Sequence, residues 1–174
     1  MITLKYIKDE IQKIAEAIEA VLEIDVTIVD ENLVRVAGTG IYVEKIGKKV
    51  NGYSAFKKSI IEQSNILITD PSCNEICKEC YSRSDCREFS EMCCPIVCEG
   101  KSYGVIGLIA FDSEQADRIN KDHENLINFL GKMADLISNK LKAQIKAYEL
   151  ELEKKKLETL LDSMDKAIVS IDVK

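Results

Sequence analysis

Seven cysteines in one short stretch are the residues of this sequence best suited to chemistry. All seven lie in residues 71–98, PSCNEICKECYSRSDCREFSEMCCPIVC, which we call the Cys-rich loop. Their spacing is C-x3-C-x2-C-x5-C-x6-C-C-x3-C, formed by Cys73, Cys77, Cys80, Cys86, Cys93, Cys94 and Cys98. Thiols scattered through a hydrophobic core do not crowd in this way. The pattern indicates that the loop either binds a metal ion or cluster or carries out redox chemistry among its own thiols.

The C-x2-C pair formed by Cys77 and Cys80 is the clearest ligand signal in the loop. Two thiolates at the ends of a tight turn bind one corner of a metal site. Cys86 and a cysteine near the following strand can then complete a set of four. We therefore predict Cys77, Cys80, Cys86 and Cys93 as the ligands.

The fourth position is contested between neighbouring cysteines. Adjacent residues on a strand face opposite sides, so only one of Cys93 and Cys94 can face the loop. Cys93 is our choice and Cys94 is its rival, while Cys73 is a loop residue that could replace a ligand or resolve a disulfide. Cys98 lies within a strand segment and is expected to be a small buried hydrophobe.

The centre itself has three interpretations. An iron–sulfur cluster of the [4Fe–4S] type is favoured, because the later cysteines are irregularly spaced and a cluster distributes its irons over more space than one ion. Zinc is the alternative, but zinc sites usually contain two C-x2-C pairs or a histidine, and the lone His123 is distant in sequence. A thiol–disulfide switch is the third. The acidic residues of the loop, Glu88 and Glu91 among them, are expected to form a solvated rim.

The chain as a whole is acidic and of ordinary globular composition. Its 174 residues are 46% hydrophobic and carry a formal net charge of -6. Nucleic-acid binding requires a basic face, so we expect no direct nucleic-acid binding by this chain. The N-terminus lacks the features of a signal peptide, and the longest apolar run, residues 105–111, is too short to span a bilayer. We expect a cytoplasmic protein that does not enter the membrane.

Motifs of enzymatic catalysis are missing from the sequence. It contains no G-x-x-x-x-G-K-[ST] phosphate loop, no G-x-G-x-x-G, no G-x-S-x-G and no H-E-x-x-H. With a single histidine and no recognisable pair of catalytic carboxylates, no acid–base constellation can be assembled. We expect the chain not to be an enzyme.

An amphipathic helix is predicted over residues 1–22, with Thr3 as its N-cap. Its apolar residues follow a 3-4-3-4-3 spacing, at Leu4, Ile7, Ile11, Ile14, Ile18 and Val21. This seam could pack on the chain's own domain or on a second copy of the chain. Its narrow, regular form favours the dimer interface.

Residues 23–121 are predicted to form the core that carries the Cys-rich loop. Two segments rich in β-branched residues, 26–29 and 33–37, are separated by Asp30-Glu31-Asn32, which supplies turn chemistry. This pattern predicts a β-hairpin.

Further elements of the core surround the Cys-rich loop. Ser54 is predicted to cap a helix that buries Ile61 together with other apolar residues. Residues 66–68 predict a short buried strand that leads into the loop. Residues 94–98 and 102–111 predict a strand pair on its far side, joined by a Glu-Gly turn.

A long helix is predicted over residues 122–164. Its apolar residues are spaced 4-3-4-4-4-3-4, at Leu126, Leu130, Met133, Ile137, Leu141, Ile145, Tyr148 and Leu152. The consecutive fours act as a stutter in a heptad seam. We expect a homodimer through residues 3–22 and 122–161. Residues 165–174 change to a β-type pattern from Ala167 and are interpreted as the start of another domain.

The order of these elements resembles a GAF sensor domain over roughly residues 1–150. The most telling residues are Pro95-Ile96 and the segment GKSYGVIGL at residues 100–108. The later segment LLDSMDKAIVSID resembles the start of a PAS domain. GAF followed by PAS is similar to the sensory half of bacterial sigma-54-dependent transcriptional activators and of sensor histidine kinases.

The resemblance implies an α+β fold, in which a GAF-like antiparallel sheet is flanked by helices and the N-terminal and long C-terminal helices form a dimeric bundle. Many such domains carry a similar cysteine pattern, which maps onto Cys77, Cys80, Cys86 and either Cys93 or Cys94. We therefore expect a sensory domain of a bacterial transcriptional regulator that senses redox state or oxygen through an iron–sulfur cluster. Its signal would pass to a downstream PAS and effector domain.

Two other functions remain open at this point. One is a zinc-stabilised GAF module that binds a small effector or a partner protein. The other is a thiol–disulfide redox switch.

Overall fold

The computed structural model describes residues 3–50, 54–80 and 83–171, of which 165–171 are described by their backbone alone. The chain forms two compact units, Met1–Leu141 and Lys142–Lys174. Three-ten turns lie at Leu4–Ile7, Gly40–Lys45 and Arg83–Asp85. The helices and strands are α1 (Lys8–Leu22), β1 (Asp25–Asp30), β2 (Arg35–Gly38), α2 (Ala55–Glu62), β3 (Ile66–Ile68), α3 (Glu75–Lys78), β4 (Ser90–Cys98), β5 (Lys101–Ala110), α4 (Ser113–Lys121) and α5 (His123–Ile171).

The first unit is built on a five-stranded antiparallel sheet with strand order β2-β1-β5-β4-β3. Its longest pairing joins β4 to β5, from Ser90 opposite Ala110 to Cys98 opposite Lys101. The adjacent residues Val105 and Ile106 of β5 are both fully buried, which shows that both faces of this central strand are covered. The predicted α+β architecture, an antiparallel sheet flanked by helices, is confirmed.

The predicted hairpin is present as β1 and β2. The Oδ1 atom of Asp30 accepts hydrogen bonds from the backbone N–H groups of Asn32, at 2.9 Å, and Val34, at 2.8 Å. Leu33 adopts the left-handed conformation with φ of 63°. Turns commonly start at an aspartate whose side chain accepts a hydrogen bond from the backbone N–H two residues later. Local chemistry therefore explains this element.

Helix α1 packs its predicted seam against the sheet of its own chain. Leu4, Ile7, Ile11, Ile14 and Ile18 are at most 8% exposed, whereas Val21 is 71% exposed. The assignment of this seam to a dimer interface is therefore wrong, because the seam is already buried within one chain. Thr3 precedes the first turn but forms no side-chain cap. A dimer contact through residues 3–22 stays a prediction, and it would use residues outside the seam.

Helix α2 begins as predicted and packs over the middle of the sheet. The Ser54 Oγ accepts a hydrogen bond from the backbone N–H of Lys57 at 3.4 Å. Phe56 is buried above Gly107 of β5, where an added Cβ would lie 2.7 Å from the Phe56 ring. Residue 107 must therefore be glycine for the Phe56 ring to pack against the sheet. Ile61, which was expected to be buried, is 69% exposed.

The elements after the Cys-rich loop differ from prediction mainly at their ends. Strand β4 begins at Ser90, four residues before the predicted start, and the buried Ser90 hydroxyl donates to the carbonyl of Ile68 at 2.8 Å. Polar residues at the start of β4 concealed its extent. Helix α4 is capped by Asp112, since the Asp112 Oδ1 accepts from the Gln115 N–H at 2.8 Å.

The predicted exit helix is present as α5, which continues to Ile171. The predicted strand from Ala167 is therefore wrong as far as Ile171, while Val173 lies outside the described residues. A β-type segment with no neighbouring strand cannot pair its backbone groups, and helix continuation satisfies them internally. A PAS domain that starts in residues 165–174 stays a prediction. Across the described residues, no helix has the length and apolar character needed to cross a membrane.

Gly107→Ala should destabilise the protein by about 1–3 kcal/mol, because the new methyl group would overpack against Phe56. The free energy of unfolding from urea titration measures this effect. Gly131→Ala is the matched control, since a Cβ at this position of α5 meets no atom within 4 Å. The control should be neutral or stabilising by up to about 1 kcal/mol. Equal effects of the two variants would contradict close packing at Gly107.

Candidate metal or redox centre

The first half of the Cys-rich loop is a run of tight turns held by local hydrogen bonds. Backbone N–H groups donate to the carbonyl three residues earlier, from Cys77 to Asn74 at 3.2 Å, Cys80 to Cys77 at 3.2 Å, Arg83 to Cys80 at 3.2 Å and Cys86 to Arg83 at 3.4 Å. Three-residue turns place every third side chain on the same side of the chain. The intervals between the three cysteines, three and six residues, match this period.

Polar side chains fix the start of this run. The Asp70 Oδ1 accepts from the backbone N–H of Ser72 at 2.8 Å and from its Oγ at 2.6 Å. The Asn74 Oδ1 accepts from the Ile76 N–H at 2.9 Å and so caps α3. An Arg83 Nη2 group donates to the carbonyl of Ser72 at 3.3 Å, which ties the two ends of the run together.

The three loop thiols lie close enough to influence one another. Burial raises the pKa of the Cys77 thiol to about 11, and Glu91, Cys86 and Cys80 add to this shift. The pKa of Cys86 is likewise raised, first by burial, with Glu88 and Cys80 among the further causes. Cys77 and Cys86 are therefore protonated near neutral pH, and a cation must replace the proton before either can act as a thiolate ligand.

Cys93 and Cys94 point to opposite sides of β4. Cys93 lies in the same apolar cluster as Phe56 and the partly buried Cys77. Burial raises the pKa of Cys94 to about 11, with a further contribution from Asp135 of α5. Cys93 is thus the cysteine that shares a side of the sheet with the loop. Its role as the fourth ligand stays a prediction.

The other two cysteines lie at the ends of the loop. Cys73 is exposed beside Ser72, with 3.5 Å between its Sγ and the serine Oγ. Cys98 is buried within β4, as expected of a small hydrophobe.

A buried polar cluster lies next to these thiols and was missed by sequence reasoning. It consists of Tyr42 and Glu91, which are buried, and of Arg35, Lys45 and Glu88, which are half-buried. The Tyr42 hydroxyl donates to Glu88 Oε1 at 3.2 Å. The guanidinium of Arg35 and the ammonium of Lys45 lie 5.0 Å and 5.2 Å from the centre of the Tyr42 ring. The expectation that Glu88 and Glu91 form a solvated rim is wrong.

Glu91 has the most perturbed carboxyl group of this buried polar cluster. It is 7% exposed, and its Oε1 accepts a hydrogen bond from the Cys93 Sγ at 3.3 Å. Burial raises the pKa of Glu91 to about 8, and the neighbouring Glu88 contributes to the shift. The alternation Glu91-Met92-Cys93 is the sequence signal that could have found this residue, because residues two apart on a strand share a face.

The predicted metal site is not preformed. Across residues 3–50, 54–80 and 83–171, the structure has no group of three or more His, Cys, Asp or Glu side chains placed to hold a metal ion. The thiols suit a soft metal centre, either a zinc ion or an iron–sulfur cluster, by donor type.

Comparison with known proteins identifies the class of domain. Residues 7–135 match the family described as stage V sporulation protein T C-terminal, transcription factor. Across 171 residues, 97% of this chain, the sequence is 30% identical to UacR of Escherichia coli (strain K12), which is named as a uric acid sigma-54-dependent transcriptional regulator. The match spans 28% of UacR.

Two solved structures illustrate the fold. The GAF domain of a phosphoenolpyruvate-protein phosphotransferase from Coxiella burnetii has a TM-score of 0.60 at 12% identity, covering 84% of this chain and 86% of that one. A type II free methionine-R-sulfoxide reductase from Thermoplasma acidophilum has a TM-score of 0.58 at 16% identity, covering 77% and 94%. The predicted GAF-like fold is confirmed.

Replacing Glu91 with glutamine should change how stability depends on pH. Since the folded pKa of about 8 lies above the ordinary 4.5, the unfolded chain ionises Glu91 first as the pH rises. The contribution of neutral Glu91 to the stability of the folded chain is therefore full at low pH. It is lost as the pH rises from the unfolded pKa to the folded pKa. Relative to Glu91→Gln, the wild type should lose roughly 3–5 kcal/mol of unfolding free energy over this window.

Urea titration of reduced, metal-free protein at several pH values measures this loss. Glu75→Gln is the control, because the Glu75 side chain is 88% exposed. The control should keep the wild-type slope. A Glu91→Gln variant with the wild-type slope would contradict the assigned burial of this carboxyl group.

Proposed function

Since this chain belongs to the family of the stage V sporulation protein T C-terminal domain, transcription factor, we propose that it is the sensory domain of a sigma-54-dependent transcriptional regulator. The support is the match to UacR along almost the whole of this chain, together with the GAF-like fold. Because the match spans 28% of UacR, the output domain belongs to the proposal. We expect a downstream PAS and effector domain, in the cytoplasm.

The proposed signal is redox state or oxygen, read through a [4Fe–4S] cluster held by Cys77, Cys80, Cys86 and Cys93. When bound, such a cluster supplies an oxygen-sensitive, one-electron centre. The observation that carries this proposal is the run of three-residue turns that repeats with the period of Cys77, Cys80 and Cys86. Zinc is the weaker candidate, since zinc sites usually contain two C-x2-C pairs or a histidine and this loop contains one such pair and no histidine.

The chain's own residues hold this loop against the sheet. Cys77 packs into the apolar cluster that contains Cys93, so one end of the loop is anchored in the core. At the other end, the Tyr42 hydroxyl holds Glu88 two residues after Cys86. The positive charges of Arg35 and Lys45 lower the pKa of Glu88 against the larger effect of burial, which raises it. These contacts orient both ends of the loop without themselves reacting.

Signalling would use a homodimer formed through residues 3–22 and 122–161. In the second unit, Leu150, Leu157, Leu161 and Met164 are 57%, 62%, 61% and 59% exposed. Their spacing of seven, four and three residues is that of a coiled-coil seam. Exposed leucines at heptad spacing are stabilised when a second copy covers them, which supports the part of the proposed dimer that lies in α5.

We propose a sensory role without catalysis. The reductase from T. acidophilum shares the fold at 16% identity, which carries no information on activity. Reductase activity would need turnover with a thiol reductant, and an assay with free methionine sulfoxide tests for it. Sustained turnover that depends on Cys93 would overturn the sensory assignment.

Anaerobically purified protein should contain iron and acid-labile sulfide and show the broad visible absorption of an iron–sulfur cluster. Cys77→Ala, Cys80→Ala and Cys86→Ala should each lose most of the iron, because each removes one ligand. A comparison of Cys93→Ala with Cys94→Ala identifies the fourth ligand. Loss of iron is expected only for Cys93→Ala. Cys98→Ala is the control and should keep its iron. Stoichiometric zinc in place of iron, unaffected by air, would contradict the cluster.

The proposed dimer should weaken at least about tenfold when Leu157 is replaced by glutamate, because a charge would be placed in the coiled-coil seam. Sedimentation at several protein concentrations measures the dissociation constant. Thr159→Glu introduces the same charge two residues away and outside the seam, so it should leave the constant nearly unchanged. A monomeric wild type, or equal weakening by both variants, would count against dimerisation through α5.

A further inference from the structure

Strand β4 lies between two groups of side chains in the first unit. On one face, Glu91 and Cys93 lie against the buried polar cluster and the loop thiols. On the other face, Cys94 lies near Asp135 of α5. A displacement of the loop that moves β4 therefore reaches α5 directly, with no intervening element.

The end of β4 is irregular at one point. The pairing of β4 with β5 changes register between Ile96, which is opposite Gly104, and Val97, which is opposite Ser102. Such a bulge disrupts the ladder locally and redirects the backbone.

The hydroxyl of Ser138 bonds to the strand at this irregular point. The Ser138 Oγ donates to the carbonyl of Val97 at 2.9 Å, which joins residues 41 apart in sequence. Serine and threonine within helices usually bond to a carbonyl of their own preceding turn. Thr159 and Ser163 of α5 do so, to Lys155 at 2.9 Å and Leu160 at 2.7 Å. Ser138 is directed to the sheet instead.

The buried residues of α5 on either side of Ser138 are apolar. Ala134, Ile137 and Leu141 of α5 are 5%, 0% and 0% exposed. Apolar burial is non-directional and tolerates small rotations or shifts of a helix. A hydrogen bond has a preferred distance and angle. The Ser138 contact is therefore suited to fixing which residue of α5 faces the bulge.

We propose that the Ser138–Val97 hydrogen bond is the contact through which strand β4 reports the state of the Cys-rich loop to α5. This inference deepens the proposed sensory function and rests on it for its biological meaning, but not on the identity of the cofactor. Any perturbation of the loop that shifts β4 changes this hydrogen bond. Ser138 is a positioning residue and takes no part in binding at the loop.

Hydrogen exchange on the whole 174-residue chain tests the proposal, with iodoacetamide as the perturbation. The reagent should alkylate the exposed thiol Cys73, and mass spectrometry verifies the modified sites. In the wild type, alkylation should alter exchange both in residues 71–98 and in residues 134–141, the latter by at least about threefold. In Ser138→Ala the loop should respond as before, and residues 134–141 should no longer respond.

Two further variants make this experiment selective. Ser163→Ala removes a hydroxyl from the same helix without breaking a contact to the sheet, and it should respond as the wild type does. Ser138→Thr keeps the hydroxyl and should retain the response. Without alkylation, Ser138→Ala should exchange about fivefold faster around residue 138, the equivalent of about 1 kcal/mol for one hydrogen bond.

The possible results separate this inference from the proposed function. Either of two results would overturn the inference. In the first, alkylation of the wild type changes hydrogen exchange in the loop but not in residues 134–141. In the second, alkylation changes exchange in residues 134–141 of Ser138→Ala as it does in the wild type. A chain that binds no iron but shows the Ser138-dependent response would overturn the iron–sulfur proposal and leave the inference standing.

Discussion

The pairing of β4 with β5 is the constraint on which the rest of this structure depends. It runs from Ser90 to Cys98 and fixes, residue by residue, which side chains face the loop and which face the helices. A shift of one residue would exchange Cys93 with Cys94 and would move Glu91 out of the buried polar cluster. The close approach of Phe56 to Gly107 depends on the same register, since Gly107 is paired with Cys93. One ladder thus determines both the core and the chemistry.

The first half of the Cys-rich loop has a different periodicity from strand β4. Its turns repeat every three residues, whereas β4 alternates every two. Cysteines spaced by three and six residues suit the first period, and the pair of Glu91 and Cys93 suits the second. The irregular spacing of the cysteines therefore reflects a change of backbone geometry within the stretch.

Local chemistry made much of the fold predictable, while long-range contacts did not follow from sequence. The hairpin at Asp30 and the cap at Ser54 each depend on hydrogen bonds within a few residues, and both were predicted correctly. The bond between Tyr42 and Glu88 joins residues 46 apart, and no local pattern indicates it. The regular seam of α1 predicted an apolar face correctly, but periodicity alone does not say whether that face meets its own sheet or another chain. For the cysteines, spacing could select candidates, yet only the strand register could separate Cys93 from Cys94.

The protonated Cys77 thiol has a consequence for the reactivity of the loop. With a pKa of about 11, the Cys77 sulfur is ionised in about one molecule in ten thousand at neutral pH. Thiolates, not thiols, attack disulfides and electrophiles. This sulfur therefore reacts slowly in disulfide exchange and in glutathione addition. Binding of the proposed cluster at Cys77 would release the thiol proton, so a lower pH would oppose that binding.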